Sequence, residues 1–197
     1  DHHKKTGAAC TIAVLDVSPE EASRFGIMST HEDGTIYKFT EKPKNPDSNH
    51  ASMGIYIFNK KKLFDYLIAD EADPASSNDF GKDVLPAMLN DGCKMMVYRF
   101  DDYWKDVGTI DSLFEANMDL LDYKPVLNLY STEWPIRTFN YNYPPAKFIW
   151  QEGDRVGMAT NSMVSEGCII SGGSISRCVL SPQVRINSFS NVTDSIL

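Results

Sequence analysis

The 197-residue sequence contains no apolar run approaching the 18 or more residues of a membrane span, and Asp1-His2-His3-Lys4-Lys5 leads into no signal-peptide core. The expectation is a soluble, cytoplasmic chain with no membrane partner. Basic charge is also scarce: 19 Lys and Arg face 27 Asp and Glu, a formal charge of −8. That removes the positive footprint a phosphate-backbone binder needs, so nucleic acid is not an expected partner. Cysteines are few and scattered. Cys10, Cys93, Cys168 and Cys178 form neither a CxxC pair nor a dense framework, and they read as small buried hydrophobes in a reducing cytosol, without disulfide or zinc. All four histidines precede residue 51, and no Ser-His-Asp or Cys-His constellation can be assembled. His2 and His3 are adjacent and cannot share a helix face for a metal; His31 and His50 fall in polar stretches and read as surface residues.

What is present is an ordinary globular composition, 42% hydrophobic and 23% charged, enough for one large domain or a medium domain and a smaller module. Residues 8–17, rich in small and β-branched side chains, predict a buried strand. Ser18-Pro19-Glu20-Glu21 carries an N-cap, a proline at the first helical position and acidic residues behind it, predicting a helical turn. Asp33-Gly34 predicts a hairpin between 26–30 and 36–40. A polar loop at 45–49 precedes a strand over 52–58, where Gly54 suggests a close backbone approach. Leu63, Phe64, Tyr66, Leu67 and Ile68 suit a helix after Asn59; 79–90 reads as a further helical segment, 95–100 as a strand and 110–121 as a helix with an apolar stripe. Alternating strands and helices indicate an α/β domain.

Beyond residue 123 the texture changes. A stretch rich in aromatics and proline, with Trp134-Pro135-Ile136 and Tyr143-Pro144-Pro145, resembles an interdomain connection. Branched residues then recur six apart at Val164 and Ile170, Ile169 and Ile175, and Ile186 and Val192. That period marks a left-handed parallel β-helix, although a twisted β-sandwich could produce similar spacing. The domains expected are 1–122, a connection at 123–146, and 147–197. The sequence stops at Leu197 within this pattern, without an obvious cap, and a partial chain is expected.

Five segments combine polar groups with structural punctuation. Phe39-Thr40-Glu41-Lys42-Pro43 sets a carboxylate and an ammonium side by side at a strand end; the lysine could balance a phosphate while the acid accepts hydrogen bonds from sugar hydroxyls, or the two could be a solvated pair. Ser52 and Tyr56, four apart on a strand, point the same way and could address one ligand or simply belong to the core. Asp79 before Phe80-Gly81-Lys82-Asp83 could cap a helix or bind. Trp104, Asp106 and Gly108-Thr109 lie where a strand feeds a helix, the edge at which α/β sheets collect ligands, and Asp106 could hold Mg²⁺ or serve the turn. Phe25-Gly26 would let a ligand approach the backbone.

Taken together, these motifs, with 20–26, 134–138 and 144–148, resemble the glucose-1-phosphate adenylyltransferase family, in order and over essentially the whole chain. The resemblance implies the C-terminal part of a Rossmann-like, GT-A-like nucleotidyltransferase domain followed by the start of a left-handed parallel β-helix. It implies an enzyme joining ATP and glucose 1-phosphate into ADP-glucose and diphosphate in glycogen biosynthesis. Lys42 would hold the sugar phosphate and Glu41 the hexose; Ser52, Tyr56, Asp79, Phe80 and Trp104 would line the pocket. Gly26 would touch the sugar nucleotide through its backbone, and Asp106 would hold Mg²⁺. It also implies a homotetramer under allosteric control. The family's glycine-rich nucleotide loop and its catalytic aspartate segment are not among these residues, so the catalytic groups are expected upstream and the 197 residues alone are expected not to turn over ATP. The alternative is a non-catalytic regulatory subunit or paralogue of the same enzyme.

Overall fold

The computed structural model describes residues 1–151, 153 and 155–197, which form two compact units, Asp1–Asp102 and Tyr103–Leu197. The first is a five-stranded mixed sheet with helices. Helix α1 (His2–Thr6) ends at Gly7, whose positive φ of 62° closes it, and precedes β1 (Cys10–Asp16). The apolar, β-branched make-up of β1 places it inside the sheet, between antiparallel β4 (His50–Phe58) and parallel β5 (Met95–Arg99). Cys10, Ile12 and Val14 are fully buried, while Thr11 is covered from the other side by α1, where His3 Nδ1 lies 2.8 Å from Thr11 Oγ1.

Helix α2 (Pro19–Ala22) begins with the expected cap. Ser18 Oγ accepts from the Glu21 amide at 3.3 Å and Glu21 Oε2 accepts from the Ser18 amide at 3.4 Å. The hairpin of β2 (Gly26–Thr30) and β3 (Ile36–Glu41) also forms as predicted, with Gly34 at φ 82° and Asp33 accepting from the amide and hydroxyl of Thr35, both at 2.9 Å. The order across the sheet is β3-β2-β4-β1-β5.

Gly54 departs from expectation. A Cβ at this position would meet nothing within 4 Å, so no close approach exists. Instead Ile12 pairs with Tyr56 and Val14 with Ser52, so β4 carries two more residues than β1 between these pairs, and Gly54 takes φ 70° in that bulge. His50 also differs from its surface reading, since it opens β4 and sets Nδ1 2.6 Å from Asp16 Oδ1. The solvated-loop reading failed because strand pairing puts His50 opposite Asp16.

Helix α3 (Lys60–Ala72) turns Leu63, Tyr66 and Leu67 inward and leaves Phe64 and Ile68 exposed, so only part of the predicted apolar set is core. The segment expected as one helix over 79–90 is a π-helical turn, Phe80–Val84, running into α4 (Leu85–Asn90). Leu85 and Met88 of α4 join Val84, Ile12, Met28 and Met95 in one core.

The second unit carries α5 (Ile110–Asp119) and a stack of short parallel strands. Strands β6 (Lys147–Ile149), β9 (Ile169–Ser171) and β11 (Arg185–Ile186) form one sheet; β7 (Met158–Thr160) and β8 (Met163–Val164) both pair β10 (Ser174–Leu180), which pairs β12 (Asn191–Ile196). Every one of these pairings is parallel, which supports a β-helix over a sandwich. Met158 stacks on Ser174 and Ile169 on Arg185, while Ser174 stacks on Asn191. The six-residue spacing read from sequence is only partly the inward set. Ile170, Ile175 and Ile186 are buried and Val164 and Val192 pack on them, but Ile169 alternates out of that core. Asn161, Arg177 and Asp194, each following a residue of the stacked column Thr160, Ser176 and Thr193, take φ of 45°, 54° and 45°. One left-handed corner is thus repeated in successive coils.

Candidate functional site

In the first unit the site is assembled from two strand ends, the bulge of a third strand and one turn. Gly26, first residue of β2, pairs with Glu41, last residue of β3. The next residue, Lys42, is held at φ 46° by its amide donating to the Phe25 carbonyl at 3.0 Å. A non-glycine residue in the left-handed region just before a proline is uncommon, and here it directs the chain out of the sheet. Lys42 Nζ lies 3.9 Å from Glu41 Oε1, with the lysine side chain 66% exposed and the glutamate 27%. The ammonium is therefore presented to solvent while the carboxylate is tucked in.

The bulge at Gly54 decides the neighbouring strand. It brings Ser52 and Tyr56 to one side as cross-strand partners of Val14 and Ile12, with Ser52 Oγ 3.5 Å from the Tyr56 hydroxyl. Ser52 Oγ also accepts from the Gly54 amide at 3.2 Å. The Tyr56 ring stacks on Phe80, centroids 5.7 Å apart and planes at 16°. Burial holds the Tyr56 phenol above its ordinary pKa; the Ser52 hydrogen bond opposes this, and the charges of Glu41 and Asp79 add to it. Two carboxylates therefore bear on the hydroxyl.

Asp79 caps the π-helical turn, as its position predicted. Its Oδ1 accepts from the Gly81 amide at 2.8 Å and the Lys82 amide at 3.0 Å. Asp83 fixes the loop from behind, where Oδ2 accepts from the Ser77 hydroxyl at 2.6 Å, the Ser77 amide at 3.2 Å and the Asp79 amide at 3.1 Å. The Ser77 hydroxyl, then the Asp79 amide, hold the Asp83 carboxyl below its ordinary pKa. Sequence reasoning assigned no role to Asp83 or Gly81. The signal was local, since Asp83 follows Asp79 by four residues in a run of turn formers, but its three donors become apparent only once the loop closes.

The structure thus brings Gly26, Glu41, Lys42, Ser52, Tyr56, Asp79 and Phe80 into one connected neighbourhood. Gly26 offers less open backbone than expected, since a Cβ there would lie 2.6 Å from Phe39 Cζ and 2.9 Å from Glu41 Oε2. Protein side chains already fill the space above it.

Trp104 and Asp106 belong to the second unit and are both half-buried. Their segment is tied to α5. The Tyr103 hydroxyl donates to Asp119 Oδ2 at 3.0 Å, and Lys105 Nζ lies 3.0 Å from Glu115 Oε2 and 3.6 Å from Asp119 Oδ2. Thr109 caps α5 through a reciprocal pair with Ser112. The Asp106 carboxylate folds over Gly108, where a Cβ would meet Oδ1 at 3.2 Å. Among the described residues no three His, Cys, Asp or Glu side chains gather as a metal site. A lone carboxylate oxygen still suits a hard cation that takes most of its ligands from phosphate and water. No helix among the described residues is long and apolar enough to cross a membrane.

Residues 1–123 match the nucleotidyl transferase family, and residues 144–197 match the GlmU-like C-terminal hexapeptide family, whose repeat is the left-handed β-helix. Among curated proteins, the glucose-1-phosphate adenylyltransferase of Clostridium beijerinckii is 51% identical over 196 residues, covering 100% of this chain and 49% of the relative. That of Koribacter versatilis is 45% identical over 210 residues, covering 99% and 50%. That of Rhodospirillum rubrum is 41% identical over 213 residues, covering 100% and 50%. The chain spans about half the length of the curated relatives it matches. With its first 123 residues, more than half of its length, matching that family, the chain belongs to the nucleotidyl transferase family.

Proposed function

We propose that the chain is the sugar-phosphate side of a glucose-1-phosphate adenylyltransferase, which converts ATP and α-D-glucose 1-phosphate into ADP-glucose and diphosphate in glycogen biosynthesis. One observation carries the reading: an exposed ammonium, two carboxylates and a serine share one neighbourhood with the Tyr56 phenol stacked on Phe80. A hexose phosphate asks for that set, since its hydroxyls need hydrogen-bonding groups, its apolar ring face needs an aromatic, and its phosphate needs a cation.

Lys42, with few local partners to leave, takes the phosphate. Glu41 accepts from hexose hydroxyls through Oε1. Asp79 keeps Oδ1 on its two amides and offers Oδ2 to the sugar, while Ser52 and Tyr56 supply hydroxyls and Phe80 a face. The family resemblance further assigns Trp104 to the sugar and the Gly26 backbone to the sugar nucleotide. A phosphate oxygen of the sugar attacks the α-phosphorus of ATP in line; the new O–P bond forms as the bond to diphosphate breaks. The residues here act by positioning and charge, without a covalent intermediate. Mg²⁺, which Asp106 would hold, neutralises phosphate charge when bound. The same reading takes 1–122 as the transferase part, 123–146 as its connection to the β-helix of 147–197, and the whole enzyme as a cytoplasmic homotetramer.

Replacing Lys42 by Gln in the full-length protein tests it. The KM for glucose 1-phosphate should rise by about tenfold or more, the loss of one charge-assisted contact, while the KM for ATP moves far less. Equal effects on both substrates would remove Lys42 from the sugar-phosphate site.

A further inference from the structure

Glu41 sits against two glycines. A Cβ on Gly81 would lie 2.7 Å from Glu41 Oε2 and 3.3 Å from the glutamate carboxyl carbon; a Cβ on Gly26 would lie 2.9 Å from the same Oε2. One carboxylate oxygen is therefore seated in the space both side chains would fill, and the other faces the Lys42 ammonium at 3.9 Å. The two glycines differ in what else they touch. Gly26 also faces the Phe39 ring at 2.6 Å, so any substitution there disturbs the core, whereas the nearest atom to Gly81 outside Glu41 is Asp79 Oδ1 at 3.3 Å. Gly81 does not take a positive φ, lies in a helical turn, and is buried. Its backbone has no need of glycine; the Glu41 carboxylate does.

We propose that Gly81 is a positioning residue: the missing side chain fixes Oε2 of Glu41, and thereby aims Oε1 at the hexose. The kinetic part of this rests on the function proposed above; the coupling between Gly81 and Glu41 does not. An alanine at 81 would push the carboxylate out of its seat, because the 2.7 Å contact is closer than a Cβ and an oxygen sustain. Glu41 reaches its seat from β3, so shortening it by one methylene withdraws the carboxylate from the obstruction.

The test is a pair of mutant cycles in the full-length protein. Gly81→Ala should raise the KM for glucose 1-phosphate by about tenfold with kcat changed by less than about threefold, and the effect should vanish in a Glu41→Ala background. Gly81→Ala should also lower the Tm of the parent protein but not that of Glu41→Ala, a comparison that needs no activity. Should Gly81→Ala fail to fold, Gly81→Ala with Glu41→Asp should fold. A full-length protein that makes no ADP-glucose would sink the proposed function and leave the thermal cycle to decide the positioning role. The proposal is overturned if Gly81→Ala matches the parent, if its effects on KM and Tm are as large without the Glu41 carboxylate, or if neither the single nor the double variant folds.

Discussion

The two units use the same backbone tool to different ends. In the first, left-handed residues occur singly and each makes one feature: Lys42 the strand exit, Gly54 the bulge that aligns Ser52 with Tyr56, and Asn78 the approach to the Asp79 cap. In the second they recur in register, with Asn161, Arg177 and Asp194 at one corner of successive coils. A repeated corner builds a scaffold whose stability is shared among neighbouring coils, whereas a unique corner places one functional group. Damage to the β-helix should therefore register as lost stability, and damage around the Glu41 cluster as lost ligand recognition.

The sharpest way to break that comparison is a cavity in the solenoid. Ile175 is 1% exposed between Cys168, Ile170, Cys178 and Leu180. Ile175→Ala should cost about 2–5 kcal/mol in denaturant unfolding, the range for deleting a large buried aliphatic side chain. Affinity for glucose 1-phosphate in the folded fraction should be unchanged. A selective loss of sugar affinity with stability intact would show that the solenoid is not merely a scaffold.

A smaller effect, on the other side of the comparison, comes from Asp83. Its folded pKa is lowered, so the ordering it gives the Asp79 loop is fully present above its unfolded pKa of about 3.9 and is lost as pH falls through the lowered folded value. Amide exchange at Gly81 and Lys82 should accelerate over that acid window, and Asp83→Asn should show the acceleration at neutral pH. Exchange at these amides that ignores both changes would remove Asp83 from the loop's support. The smallest effect belongs to the exposed pair of Arg177 and Asp194, Nε to Oδ1 2.7 Å across adjacent coils with both side chains more than half exposed. Replacing Asp194 by Asn, which tolerates the left-handed φ of 45° there, should leave both the unfolding midpoint and sugar recognition essentially unchanged; a clear loss of stability would mean the corner column is a stronger structural element than its exposure suggests.

Local rules made much of this legible. The Ser18 capping box, the Asp33-Gly34 hairpin and the Asp79 cap each involve residues two to four apart, whose spacing is itself the signal. What escaped depended on pairing across the chain. Gly54 announced an unusual backbone, but whether it admits a neighbour or relieves a bulge depends on the register against β1. The seat of Glu41 joins positions 26, 41 and 81, and a glycine gives no sequence sign of whose side chain occupies its missing volume. His50 looked solvated because its loop is polar, and only strand pairing delivers Asp16 to it. The coil repeat was visible as branched residues six apart, yet the inward set also follows the alternation within each strand, which drops Ile169 from the core.

Hydrogen–deuterium exchange of the full-length protein, with and without saturating glucose 1-phosphate, addresses the central claim most directly. The account predicts simultaneous protection at 40–42, 52–56 and 79–82, with little change across 158–197. Protection confined to one of those three segments, or appearing chiefly in the β-helix, would contradict a single hexose-phosphate site built from them.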